Sequence, residues 1–166
     1  IRRKLFYWAI GIGKQVLSYK TKNTPIPFSL KLKHSIANKL VYSKVQSRVG
    51  GSLRFFISGG APLSQEIAEF FASVNISILE GYGLTETSPV LTSNTLDNLK
   101  YGTVGKPLFN VEIKIGEGGE ILAKGPNIMK GYYNNKEATI ECVDSEGWFH
   151  TGDIGEFDKE GYLKIT

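Results

Sequence analysis

The run Glu80-Gly81-Tyr82-Gly83-Leu84-Thr85-Glu86-Thr87-Ser88-Pro89 holds the residue types best suited to chemistry. Two glycines flank an aromatic ring, so the backbone can bend sharply and come close to a flat ligand. A hydroxyl (Thr85) and a carboxylate (Glu86) follow at once, a pair suited to a phosphate oxygen and a hard metal ion. On spacing alone, a plain turn around a packed tyrosine explains the stretch equally well. The flanking sequence has to decide between the two.

The elements around this stretch form a recognisable order. Leu53 to Ile57 is a short apolar run that reads as a buried strand, and Ser58-Gly59-Gly60-Ala61-Pro62 turns the chain. Ser64 can cap a helix with Glu66 in its first turn and Ile67, Phe70, Phe71 and Val74 on its inner face. Ile76 to Leu79 is the next buried strand. Strand, glycine turn, helix and strand make a βαβ unit, which implies a parallel sheet. Ligands of such sheets sit beyond the carboxyl ends of the strands, where both glycine turns fall.

Upstream, Arg2 to Lys20 reads as a partly buried helix, closed by Thr24-Pro25-Ile26-Pro27. A second helix follows, with Leu32, Ile36, Leu40, Val41, Val45 and Val49 expected on one buried stripe. Gly50-Gly51 stops it. Downstream, Val111 to Ile115 alternates, Gly116 to Gly119 turns and Glu120 to Ala123 returns, a β-hairpin. Asn134 to Cys142 reads as a short helix. Trp148-Phe149, Ile154 to Phe157 and Tyr162 to Ile165 read as further antiparallel strands, with Asp158 to Gly161 as a turn. The expected class is α/β: a βαβ parallel-sheet portion over residues 1–95, then a β-rich, distorted-barrel portion over 96–166.

The totals narrow the function. At 166 residues, 41% hydrophobic and 22% charged, the chain can bury a core of its own. The single Cys142 excludes an internal disulfide framework and a cysteine-based metal site, so a reducing, cytoplasmic setting is expected. No stretch has the length of a membrane-spanning helix. The net charge of +4 hides an asymmetry: residues 1–54 hold twelve Lys or Arg and no Asp or Glu, whereas 55–166 hold eight and sixteen. Such basic amphipathic helices are most often solvated faces, and next a surface for an anionic membrane. Nucleic-acid binding ranks last, since no aromatic platform accompanies the charge.

Four motifs in order give the chain a family resemblance. Glu80 to Thr87 resembles the signature of the adenylate-forming, AMP-binding superfamily, which includes acyl-CoA synthetases, luciferases and the adenylation domains of peptide synthetases. Ser58 to Leu63 resembles the family's adenine-side glycine turn. Gly119-Glu120-Ile121-Leu122-Ala123-Lys124-Gly125, with Met129-Lys130-Gly131-Tyr132-Tyr133, resembles its hairpin motif, and Gly147 to Asp153 its Thr-Gly-Asp motif. Arg54 to Leu63 and the Thr87-Ser88-Pro89-Val90 extension are most similar to long-chain fatty acyl-CoA synthetases.

The resemblance implies roles. Gly59, Gly60 and Ala61 would wall an adenine slot, and Tyr82 would stack on the base between Gly81 and Gly83, just after Glu80. Thr85 would donate to the α-phosphate, Glu86 would hold Mg²⁺, and Asp153 would accept from both ribose hydroxyls. Thr85 and Glu86 are thus the expected catalytic residues, and the expected ligands are ATP or AMP, Mg²⁺, CoA and a fatty acid. Gly131-Tyr132-Tyr133 is expected to shape the domain, Trp8 and Trp148 to be core, and His34, His150 and Cys142 to be non-catalytic. Ile1 is not methionine and Thr166 lies in a strand-like run. An internal piece is therefore expected, with the family's phosphate loop upstream and its lysine-bearing C-terminal lid downstream. The alternatives are an adenylation domain that loads an amino or aryl acid onto a carrier protein, and a non-catalytic AMP-binding or membrane-docking module.

Overall fold

The computed structural model describes residues 2–166 and divides the chain into two compact units. The first comprises Ile1–Ile57 and Leu63–Leu79, the second Ser58–Pro62 and Glu80–Thr166.

In the first unit, helix α1 (Arg2–Thr21) packs against α2 (Phe28–Ala37) and α4 (Gln65–Ser73). Its core joins Ala9, Ile10, Ile12 and Val16 of α1 to Leu30, Ala37, Val41, Tyr42, Val74 and Ile76. Between α2 and α3 (Ser43–Arg48) the helix widens into one π turn, Asn38–Tyr42. Tyr42 is fully buried there, and its hydroxyl donates to Ala9 O at 2.5 Å.

The expected stripe on this helix is half right. Val41 is buried and Val45 and Val49 pack against the core, but Leu32, Ile36 and Leu40 are 56%, 46% and 41% exposed. At about 100° per residue, those three are rotated away from the row through Leu30, Ala37 and Val41, whose side chains join the core with α1. Lys31, Lys33, Lys39 and Lys44 are exposed around them. No helix among the described residues is long and apolar enough to cross a membrane.

The βαβ unit is present as β1 (Phe55–Ser58), α4 and β2 (Ser77–Tyr82), in a sheet of order β1-β2-β3-β4. Strand β1 is not buried: it forms the sheet edge, and Phe56 and Ile57 are 39% and 74% exposed. Ser64 occupies the N-cap position of α4, but its side chain makes no capping bond. On that helix Ala68 is buried and Ile67 exposed, so the inner face is rotated toward Ala68, Phe71 and Val74. Strand β2 runs on through Glu80, Gly81 and Tyr82, so the first three residues of the chemical stretch are strand rather than turn. Trp8, expected in the core, is 38% exposed.

In the second unit, β3 (Thr92–Ser93) returns along β2, pairing Gly81 with Ser93 and Tyr82 with Thr92, and β4 (Lys106–Pro107) pairs with β3. The second sheet is antiparallel, in the order β5 (Glu112–Ile115), β6 (Glu120–Lys124), β7 (Phe149–Phe157) and β8 (Leu163–Ile165). Its core is Tyr82, Leu91, Ile121, Ala123 and Leu163. The expected hairpin is β5–β6, and the short helix is α5 (Lys136–Cys142), capped by Asn135 Oδ1, which accepts from Ala138 N. Two of the expected strands are one: β7 is continuous across Thr151-Gly152-Asp153. Glu120 pairs with Ile154 and Leu122 with His150, so Ile121 alone faces three β7 residues and β7 bulges there. Trp148 is half-buried, with Lys114 Nζ 4.1 Å from its ring centroid.

Candidate nucleotide-binding site

The expected site residues all belong to the second unit. Strand β2 delivers Glu80, Gly81 and Tyr82, and the loop from Gly83 to Val90 folds back so that Leu91 N donates to Tyr82 O at 2.8 Å. Thr87 locks that loop. It is fully buried, and its hydroxyl accepts from Leu84 N at 2.9 Å and donates to Pro89 O at 2.7 Å. A Cβ on Gly83 would lie 1.8 Å from Pro89 O, so the loop closes this tightly only over a glycine. Asn127 Nδ2 ties the same loop to the second sheet, donating to Thr87 O at 2.8 Å and Val90 O at 3.2 Å.

Tyr82 is 9% exposed, and its hydroxyl donates to Asp153 Oδ2 at 2.7 Å. Burial first, with the Asp153 bond and charge adding, pushes the phenol well above its usual range against an opposing bond from Thr151. Asp153 stands on the β7 bulge. Its N–H donates to Thr151 Oγ1 at 3.1 Å, and that hydroxyl donates to Ile121 O at 2.8 Å. Glu120 braces the bulge from β6: Oε1 accepts from Gly152 N at 3.0 Å, and Oε2 lies 2.9 Å from His150 Nδ1. A bulge turns a side chain out of the strand's alternation, and here it brings Asp153 to Tyr82.

Glu86 lies in a short helical turn, Thr85–Thr87, and is half-buried, while Thr85 is exposed. The segment after β6 holds Glu86 twice. Met129 N donates to Glu86 O at 2.7 Å, and Tyr132 Oη donates to Glu86 Oε1 at 2.8 Å. The bond to Glu86, then burial, holds the Tyr132 phenol above its ordinary range, so it is a proton donor at neutral pH. Tyr132 also lines a groove of about 470 Å³ with Lys130, Tyr133, Lys136 and Ile140.

The glycine turn lies alongside. A Cβ on Gly59 would sit 3.4 Å from Gly81 O, so these backbones nearly touch. Gly60 (φ +80°) and Ala61 are exposed next to them. Three of the four motifs thus converge: Gly59 on Gly81, and Tyr82 on Asp153. The hairpin motif reaches them through Tyr132 on Glu86 and Glu120 beneath the bulge. Sequence reasoning missed Tyr132, Glu120, Asn127 and Thr87. Only Thr87 carries a local signal, a threonine in a Gly- and Pro-bounded turn where a hydroxyl can bond the backbone. Tyr132 and Glu86 are 46 residues apart, and nothing local in the sequence joins them.

The model of the AMP-binding enzyme family matches residues 25–133, about two thirds of the chain. The chain belongs to that family. It is 42% identical over 82% of its length to the long-chain-fatty-acid–CoA ligase FadD15 of Mycobacterium bovis, of which it covers 23%. It is 38% identical over its full length to the human long-chain-fatty-acid–CoA ligase ACSBG2, of which it covers 25%. The chain thus spans about a quarter of the length of these relatives. Among solved structures, the o-succinylbenzoate CoA synthetase MenE of Bacillus subtilis in complex with ATP and magnesium ion superposes with a TM-score of 0.61. The two are 31% identical, over 74% of this chain and 29% of MenE.

Proposed function

We propose that the chain forms the nucleotide-binding portion of an ATP-dependent ligase that joins a long-chain fatty acid to CoA. The observation that carries this reading is the bond between Tyr82 and Asp153, which joins two motifs that the family resemblance assigns to the base and the ribose. The fatty acid is supported by the relatives' names and by the Arg54 to Leu63 and Thr87 to Val90 runs.

The residues fit a nucleotide. Asp153 has two oxygens and about four acceptor positions, and Tyr82 uses one, which leaves room for two ribose hydroxyls. Tyr82 and the Gly59–Ala61 turn would border the base, and Thr85, exposed on its turn, would donate to the α-phosphate. No cluster of three or more His, Cys, Asp or Glu among the described residues could hold a metal ion. A lone carboxylate still suits Mg²⁺, which commonly takes one or two carboxylates beside substrate phosphates and water. Glu86 would hold it. Bound there, Mg²⁺ would offset negative charge on the phosphates.

The reaction proceeds in two displacements. A carboxylate oxygen of the acid attacks the α-phosphorus of ATP, the bond to the bridging oxygen breaks, and pyrophosphate leaves. The CoA thiolate then attacks the acyl carbon, and AMP leaves with the bonding electron pair. Within this chain, Tyr82, Asp153 and Thr85 hold the adenylate in place through both steps, and positioning of this kind lowers the barrier without a further reactive group.

Acid-dependent exchange of labelled pyrophosphate into ATP, run on the full-length protein, tests the reading. Exchange with long-chain fatty acids and a loss of roughly 10²–10³ in Glu86→Ala are expected. Exchange with amino or aryl acids alone would transfer the chain to the carrier-loading enzymes. Near-normal exchange by Glu86→Ala would remove the role given to that residue.

A further inference from the structure

We infer that Tyr132 is a positioning residue for the metal-binding carboxylate: its hydroxyl fixes the direction in which Glu86 presents its free oxygen to a divalent cation. The inference rests on the role proposed above for Glu86.

A half-buried glutamate on a three-residue turn has three side-chain torsions and no intrinsic preferred direction, so it would lose orientational freedom on binding a cation. The structure removes that freedom beforehand. Tyr132 Oη takes Oε1 at 2.8 Å, and Met129 N takes the Glu86 backbone carbonyl at 2.7 Å. Side chain and main chain of one residue are thus held from the same four-residue segment. A bond from a neutral hydroxyl to a carboxylate is among the stronger kinds, and it is directional.

Tyr132 is itself held by α5. Its N–H donates to Thr139 Oγ1 at 2.9 Å, and that hydroxyl donates to Asn135 O at 2.8 Å. A Cβ on Gly131 would lie 2.8 Å from Thr139 Cγ2, so the segment seats closely on the helix. The order of support runs from Thr139 to Tyr132 to Glu86. Tyr132 is 40% exposed and contributes little to the core, so its bond to Glu86 is better explained by the carboxylate than by packing. Its neighbour Tyr133 is 93% exposed.

The test is Tyr132→Phe in the full-length protein, which deletes one oxygen and keeps the ring. Binding of ATP is measured by calorimetry across a magnesium series, and Mn²⁺ in the ATP complex is measured by electron paramagnetic resonance. Outer partners of a metal ligand typically change affinity by about 10–100-fold. The Mg²⁺ concentration for half-maximal ATP binding should rise by about that factor, with metal-free AMP affinity unchanged. Thr139→Val should shift it in the same direction by less. A magnesium dependence in Tyr132→Phe equal to wild type, while Glu86→Gln loses it, would overturn the positioning role alone. If Glu86→Gln also keeps the wild-type dependence, the metal role of Glu86 falls and this inference with it.

Discussion

Tyr82 and Asp153 lie 71 residues apart in sequence and 2.7 Å apart in the fold, where a buried phenol donates to a carboxylate raised on a strand bulge. The bond couples the strand that carries the Gly-Tyr-Gly motif to the one that carries Thr-Gly-Asp. Each residue therefore sets the geometry of the other.

Tyr82→Phe should separate the ring's contribution from the hydroxyl's. Hydrogen bonds to charged groups contribute about 1.5–3 kcal/mol, and about 1.4 kcal/mol is tenfold in affinity. AMP should bind about tenfold more weakly, while 2′,3′-dideoxy-AMP, which offers Asp153 no hydroxyls, should bind to mutant and wild type alike. Calorimetry with the two ligands decides the matter. An equal loss for both would mean that the hydroxyl acts through packing and not through Asp153.

Gly83→Ala should be destabilising, because the new methyl would lie 1.8 Å from Pro89 O and 2.8 Å from Pro89 C, both backbone atoms. Overpacking of this kind costs about 1–3 kcal/mol or more, which lowers Tm by about 2–4 °C per kcal/mol in a chain of this size. Gly11→Ala is the contrast. Nothing lies within 4 Å of its Cβ position inside α1, so alanine there should raise Tm by its helix preference of about 1 kcal/mol. Calorimetric melts of the two variants should move in opposite directions.

Much of this architecture is legible in the residues, for a physical reason. The hairpin β5–β6 shows as alternation around glycines, and the βαβ unit as two apolar runs about a glycine turn and a helical stripe, because those patterns are local. The exposure of β1 is not legible there. Its apolar run matches that of a central strand, and only the strand order β1-β2-β3-β4 makes it an edge. The Leu32, Ile36, Leu40 stripe misled because each is four residues from the next, while the core is reached by the row through Leu30, Ala37 and Val41. At the site, residue types draw attention to Tyr82 and Glu86, and the family resemblance to Asp153. Tyr132, which bonds Glu86, and Glu120, which braces the bulge that carries Asp153, are brought there only by contacts between segments distant in sequence.

Tyr42→Phe tests how the π turn is tied to α1. The hydroxyl of a fully buried tyrosine donates to Ala9 O, and the phenol is pushed upward chiefly by burial. Phenylalanine removes the bond and leaves the site dry. A loss of about 0.5–1.5 kcal/mol in urea unfolding is expected. Tyr133→Phe, at a side chain 93% exposed, should change nothing measurable. Equal effects of the two substitutions would show that the Ala9 contact does not contribute to stability.

Asp158 gives the second unit a defined acid sensitivity. It closes the turn between β7 and β8: Oδ1 accepts from Glu160 N at 2.8 Å and Tyr162 N at 2.9 Å, and Oδ2 pairs with Lys100 Nζ at 2.6 Å. Lys100 first, then the Tyr162 N–H, holds the carboxyl down from 3.8 to about 2. A folded-state value below the unfolded one means that the ionised form is favoured by folding. The stabilisation is complete above pH 3.8 and is lost as pH falls from there through about 2. Asp158→Asn keeps an acceptor for the two backbone donors and removes the charge. Its Tm deficit relative to wild type should be constant between about pH 7 and about pH 5 and should close as pH falls toward 2. Added salt at neutral pH should shrink it as well, because the pair is partly exposed. A deficit that persists unchanged at pH 2 would show that Asn disturbs the turn itself, and that the charge of Asp158 is not what stabilises it.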